Sequence, residues 1–127
     1  MPIAKAGTLL IPSGPSHDPD RRHLFVVCNA PDENGLYLIV PVTSWTSELC
    51  DATCRLEPHE HAFLNHASYV LYRKARIEAA TALHVGLLNG LLAPHDPMNG
   101  QVFLKVRKGV CRSSQTPRKI KTYFGCS

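Results

Sequence analysis

The chain has 127 residues, 44% of them apolar and 19% charged; these are values of an ordinary globular domain, which exclude wholesale disorder and allow a core without staples. No apolar run approaches membrane-spanning length, and the first residues lack the basic start and long apolar stretch of a leader, so no membrane destination is expected. The net charge of +4 is uneven: from Gln101 onward the chain carries Lys105, Arg107, Lys108, Arg112, Arg118, Lys119 and Lys121 and no acidic residue. Such a block suits phosphate backbones or acidic partners, and equally a solvated tail. Five cysteines, Cys28, Cys50, Cys54, Cys111 and Cys126, are an odd set without a dense framework, which points to a reducing compartment and a cytoplasmic protein. Residues 1–127 read as one domain.

Gly7 to Ile11 is a short apolar run closed by Pro12-Ser13-Gly14-Pro15, the punctuation of a strand running into a loop. The polar loop to Asp20 delivers the chain to Arg21-Arg22-His23 and then to Leu24 to Cys28, a second strand that begins with cations. Pro31 to Gly35 is a hairpin connection in which Asn34 and Gly35 are expected at positive backbone angles. It returns the chain as Leu36 to Thr43. Because strands two and three are apolar at consecutive positions, both their faces should be covered, in a small closed barrel or in a sheet packed by helices.

Ser44 to Ala67 is irregular, with Pro58 and the histidines His59, His61 and His66, and holds at most one strand near Thr53 to Leu56. Ser68 to Ala75 alternates as a further strand, with Ala75 to Ala82 its continuation or a bent extension. Leu83 to Leu92, interrupted by Gly86 and Gly90, reads as a short turn. From Met98 to Arg112, Val102, Val106 and Val110 recur four apart with the cations largely off that stripe, which predicts a C-terminal amphipathic helix packed on the rest.

These stations come in a telling order: a Gly7-led strand, the loop Pro12 to Asp20, an arginine before Leu24 to Cys28, Pro41-Val42-Thr43-Ser44 closing a strand, a Ser68-led strand, and the helix Met98 to Arg112. In that order the sequence resembles the PemK/MazF toxin family. The resemblance spans nearly the whole chain through short motifs. It implies a β-rich (α+β) fold, an SH3-like small barrel with a C-terminal helix. It also implies a metal-independent endoribonuclease without cofactors, acting on single-stranded RNA as a homodimer restrained by an antitoxin protein. Where the family has a Glu-Gln-Gly stretch leading to Arg-Pro, this chain has Asp18-Pro19-Asp20 and Arg21-Arg22-His23. The family's arginine therefore falls on Arg21 or Arg22, and its threonine on Thr43. The excursion from Ser44 to Ala67 reads as the elaboration of a distinct subfamily.

Metal-free RNA cleavage uses the RNA's own 2′-hydroxyl as nucleophile, so the protein must supply a base, an acid at the leaving oxygen and cations for the phosphate. Arg21, Arg22, His23 and Thr43 are the candidate catalytic residues. The arginine fork matches phosphate oxygens, and strand alternation sets Arg21 and His23 on one face and Arg22 on the other. Ser44, Arg112, Arg118, Lys119 and Lys121 are candidate RNA contacts. Cys50, Cys54, His59 and His61 also spell Cys-x3-Cys-x4-His-x-His, a conceivable zinc set whose second pair is closer than zinc-finger spacing. The loop histidines are instead read as hydrogen-bonded within the loop or lining the site, with no metal expected. His17, His84 and His95 are read as surface residues. Among Trp45, Phe63, Tyr69 and Tyr72, aromatics able to stack bases, the two tyrosines face opposite sides of a strand, so at most one meets a ligand. Two readings compete with the nuclease. One is a non-catalytic barrel binding nucleic acid or protein through the basic C-terminal region; the other is a zinc-stabilised module resting on the Cys50 to His66 cluster.

Overall fold

The computed structural model describes residues 3–126, so of the expected 1–127 domain Met1, Pro2 and Ser127 lie outside the described residues. The elements are β1 (Thr8–Pro12), β2 (Arg22–Val27), β3 (Leu36–Ser44), β4 (Arg55–Leu56), β5 (Ser68–Val70), β6 (Arg76–Ala79), α1 (Ala80–Leu88), β7 (Ala93–His95), α2 (Gly100–Arg112) and α3 (Arg118–Phe124). All strand pairs are antiparallel. Among the described residues no helix is long and apolar enough to cross a membrane.

β2 and β3 pair with Leu24 opposite Val42 and Val27 opposite Ile39, and their period of two sorts the apolar runs onto two faces. Even-numbered Leu24, Val26, Leu38, Val40 and Val42 pack with Tyr72, Val106, Val110 and Ile120 beneath α2 and α3. Odd-numbered Phe25, Val27, Tyr37 and Ile39 pack with Leu9, Ile11, Leu83 and Leu92 beside α1. Full burial of each such side chain contributes roughly 1.5–3 kcal/mol. Both faces are covered, as the consecutive apolar positions require. The cover is helical: the sheet order is β4-β5-β3-β2-β1-β7, with β6 also on β3, and the sheet is open. The molecule is thus a β-rich α+β protein.

Pro41 decides how the second edge of β3 is used. β6 pairs with Leu36 to Ile39 and β5 with Val42 to Ser44. Between them Leu71 N donates to Pro41 O at 2.8 Å, but proline has no N–H to return the bond, so the ladder stops. The chain passes through a 3-10 turn at Tyr72–Lys74 and resumes as β6. The single strand expected from Ser68 to Ala75 is therefore broken, and the bent extension begins at Arg76.

The turn expected over Leu83 to Leu92 is corrected, because its first half belongs to α1. Gly86 does not break this helix. It lies on the buried side, where a Cβ would come within 2.8 Å of Leu92 Cδ1, and so it admits the returning chain. Gly90, with φ of 78°, ends the helical segment. β7 and α3 were not expected; β7 is held against β1, and α3 ends at Gly125. In the β2–β3 turn Gly35 takes the expected positive φ and Asn34 does not, and the turn is tied by Asn34 N and Leu36 N, which both donate to the Asp32 carboxylate.

The C-terminal helix starts at Gly100 because the Asn99 side chain accepts from Gln101 N at 2.9 Å. Val106 and Val110 are fully buried and Val102 partly so, as the stripe predicts. Gly109 lets α2 sit against the Tyr72 ring, whose hydroxyl donates to Val106 O at 2.7 Å. A disulfide, which the cysteine count did not anticipate, joins Cys111 to Cys126 with Cα atoms 5.4 Å apart, while Cys28, Cys50 and Cys54 are free.

Candidate functional site

β2 begins where β3 ends, so the residues singled out in two separate segments meet. The β2–β3 pairing ends at Leu24 and Val42, and the residues next along, His23 and Thr43, border the same space. Here a cleft of about 280 Å³ is lined by Arg21, Arg22, His23, Thr43, Ser44 and His66, with Phe63 and Leu64 contributing apolar surface. The loop before β2 folds back to present these cations: Ser13 N donates to Arg21 O at 2.8 Å and Arg21 N to Asp18 O at 3.2 Å. Gly14 makes that closure feasible, because a Cβ there would collide with the Asp18 carbonyl.

The two arginines have different partners. Arg22 donates through Nη2 to Gly90 O at 3.2 Å and Leu91 O at 3.5 Å, tying the start of β2 to the segment after α1. Arg21 is exposed, and no side-chain hydrogen bond or ion pair engages it among the described residues. His23 Nδ1 lies 2.7 Å from Ser13 Oγ, which leaves Nε2 to exchange protons. Burial, and secondarily the charge of Arg21, lower its pKa from the usual 6.5, so the ring is neutral at neutral pH.

On the opposite wall, His66 Nε2 lies 2.6 Å from Ser44 Oγ. Pairing of Ser44 with Ser68 brings the end of the excursion to the end of β3. The excursion is pinned farther back by His61. Its Nδ1 accepts from Phe63 N at 3.1 Å, so its Nε2 carries the proton and donates to Asp96 O at 2.7 Å. Leu64 is buried in the core beneath.

The residues of the conceivable zinc set do not assemble. Both ring nitrogens of His61 are committed, Cys54 is buried with its thiol pushed up by burial to about 11, and no cluster of metal-ligating side chains occurs among the described residues. Tyr72 is fully buried in its 3-10 turn, and Tyr69 packs edge-on to Trp45 at 5.7 Å, so neither tyrosine reaches the cleft. Of the candidate base-stacking aromatics, Phe63 alone lines it. His17 is exposed as expected, but His84 and His95 are half-buried: His84 sits on α1, and His95 packs 5.6 Å from the Phe63 ring.

Arg112, Arg118, Lys119 and Lys121 lie on α2 and α3 and do not line the cleft. Arg112 instead shares a separate groove with Lys105 and Lys108, where Lys105 is paired with Glu60 at 2.8 Å. The sequence reading left His66 without a specific role; the signal that finds it is the pairing of the Ser68-led strand with the strand ending at Ser44, which draws the preceding residues to that end.

Two imidazoles, one of them kept neutral, the unengaged Arg21 guanidinium and the Thr43 and Ser44 hydroxyls in a single cleft can move protons to and from a phosphodiester while stabilising its charge. A scan of the sequence against protein-family models finds no match, and a search of the curated proteins finds no relative.

Proposed function

We propose that this chain is a divergent PemK/MazF-like, metal-independent endoribonuclease that acts on single-stranded RNA as the toxin of a toxin–antitoxin pair. The observation that carries the chemistry is the convergence of Arg21, His23, Thr43, Ser44 and His66 on one cleft. The toxin role, the homodimer and the antitoxin partner rest on the sequence resemblance. An SH3-like architecture is proposed from the same resemblance, the sheet itself being open.

In this reading His23 Nε2 takes the proton of the 2′-hydroxyl, whose oxygen attacks phosphorus. Arg21 balances the charge that builds on the non-bridging oxygens, and the Thr43 hydroxyl donates to one of them. As the bond from phosphorus to the 5′-oxygen breaks, His66 supplies a proton to that oxygen through the Ser44 hydroxyl, 2.6 Å from its Nε2. The products are a 2′,3′-cyclic phosphate and a 5′-hydroxyl.

The test is purified protein with end-labelled single-stranded RNA of mixed sequence in excess chelator. Cleavage with cyclic-phosphate ends is the expected result, slowed in Arg21→Ala and Thr43→Ala and matched by relief of growth arrest on expression. Cleavage that depends on added magnesium or manganese, or none at all, overturns the reading.

A second reading, a non-catalytic binder of nucleic acid or protein, is favoured by the cationic groove of Lys105, Lys108 and Arg112 on α2, which lies apart from the cleft. It predicts RNA binding that survives Arg21→Ala and His23→Ala, with no product formed.

A further inference from the structure

Beyond the wall formed by His23 and Thr43 lies a second cavity of about 330 Å³, bounded by Phe25, Pro41, Leu71, Lys74 and Arg76. His23 and Thr43 line both spaces, so whatever occupies the cleft can continue into the cavity. Its make-up differs from that of the cleft. Phe25, Pro41 and Leu71 give it a larger apolar share than the cleft, where Phe63 and Leu64 are set among arginines, histidines and hydroxyls.

Arg76 borders this cavity as a cation packed on an aromatic ring. Its guanidinium carbon lies 4.7 Å from the centre of the Phe25 ring, and Glu78 reaches its Nε only at 3.9 Å. The Arg76 side chain is 43% exposed, so the guanidinium that lies over the Phe25 ring keeps surface open to a stacking partner. Lys74, exposed on the 3-10 turn beside it, supplies a flexible cation. The break at Pro41 makes this arrangement possible, since it removes strand from this edge between Val70 and Arg76.

We infer that this cavity is a nucleotide subsite: one base of a single-stranded nucleic acid stacks on the Arg76 guanidinium against the Pro41 and Leu71 surface, and Lys74 holds the adjoining phosphate. Stacking on aromatic rings and arginine planes is how unpaired bases are commonly held. The inference rests on the reading of the cleft as an RNA site and extends it to a base next to the scissile phosphate. It commits to stacking, so it requires a base and tolerates different ones.

The test uses a 2′-deoxy pentanucleotide of mixed sequence, which lacks the attacking hydroxyl and cannot be cut, together with versions carrying a single abasic residue at each position in turn. Removing the base at one position should weaken binding about tenfold, with smaller losses elsewhere. Arg76→Leu should abolish that positional penalty, and so should Arg76→Lys, which keeps the charge and the fold but not the plane. Lys74→Gln should weaken all the oligonucleotides alike and flatten the salt dependence by about 0.7 in logarithmic slope. Absence of a positional penalty, or its survival in both Arg76 variants, overturns the subsite. RNA cleavage in chelator without the penalty would leave the nuclease standing and remove the subsite. The penalty without cleavage would do the reverse.

Discussion

The two faces of the sheet are built from alternate residues of the same strands and are finished differently. On the even face, Leu24, Val26, Val40 and Val42 are sealed by α2 and α3, and polar links close the seal: Tyr72 donates to Val106 O at 2.7 Å, and Ser113 Oγ to the buried Asp51 carboxylate at 2.6 Å. On the odd face, α1 covers Leu9, Val27, Tyr37 and Ile39 but stops short of the strand ends. There Phe25, His23 and Thr43 border open cavities. Continuous cover stabilises, whereas incomplete cover leaves polar groups accessible at the end of a rigid scaffold. Mutations on the two faces should therefore separate stability from activity.

The largest effect belongs to the sealed face. Tyr72→Ala removes a fully buried ring and its hydrogen bond, and should lower unfolding free energy by about 3–5 kcal/mol in denaturant titration. Cleavage per folded molecule should stay near wild type. A loss of activity beyond the loss of folded protein would mean that the two faces are coupled.

On the open face the expectation reverses. His23→Ala should slow RNA cleavage by about 10²–10⁴-fold while losing only about 0.5–1.5 kcal/mol of stability with the hydrogen bond to Ser13. Equal rates in mutant and wild type would remove His23 from the chemistry.

pH sharpens the contrast. Because burial and Arg21 depress the His23 pKa below 6.5, the neutral ring is favoured in the folded protein. The stability it contributes is present above 6.5 and is lost as pH falls through the lower folded value. The acidic limb of kcat/KM should accordingly lie below 6.5, and Arg21→Gln should move it upward without fully restoring the ordinary value, since burial is the larger cause. A limb that does not move in the variant would show that the charge of Arg21 does not reach the base.

The smallest effect is expected from the cations beside the sealed face. Changing Arg112, Arg118, Lys119 and Lys121 to glutamine should raise the RNA concentration needed for half-maximal cleavage and flatten its salt dependence, while the maximal rate and the melting temperature hold. Unchanged affinity and salt slope would assign these residues to solvation or to a protein partner.

Strands β1 to β3 and the stripe on α2 were legible because each is a local pattern: apolar runs bounded by Pro and Gly, and Val102, Val106 and Val110 four apart. α1 is not legible in the sequence because a glycine within an apolar run has the local signature of a helix breaker, whereas Gly86 is a close contact with Leu92. β7 was missed because a short strand on β1 needs a partner from the far end of the chain. Of the cleft's lining, Arg21, Arg22, His23, Thr43 and Ser44 stand out in the sequence because they lie at two strand ends. His66 was not assigned a role, since its place depends on the pairing of Ser44 with Ser68.

By itself, the sequence determined that strands two and three are buried on both faces, that an amphipathic cationic helix lies near the C-terminal end, and that cations and a histidine enter one strand while hydroxyls end its neighbour. Spacing along the chain is sufficient for each of these, because side-chain direction follows from period alone. Tertiary structure decided that the sheet stays open, that Arg22 is engaged by carbonyl groups while Arg21 is free to meet a ligand, and that the irregular excursion carries His66 and Phe63 to the cleft. Those outcomes depend on contacts between residues far apart in sequence, and on a proline whose missing N–H matters only once a neighbouring strand arrives to be refused.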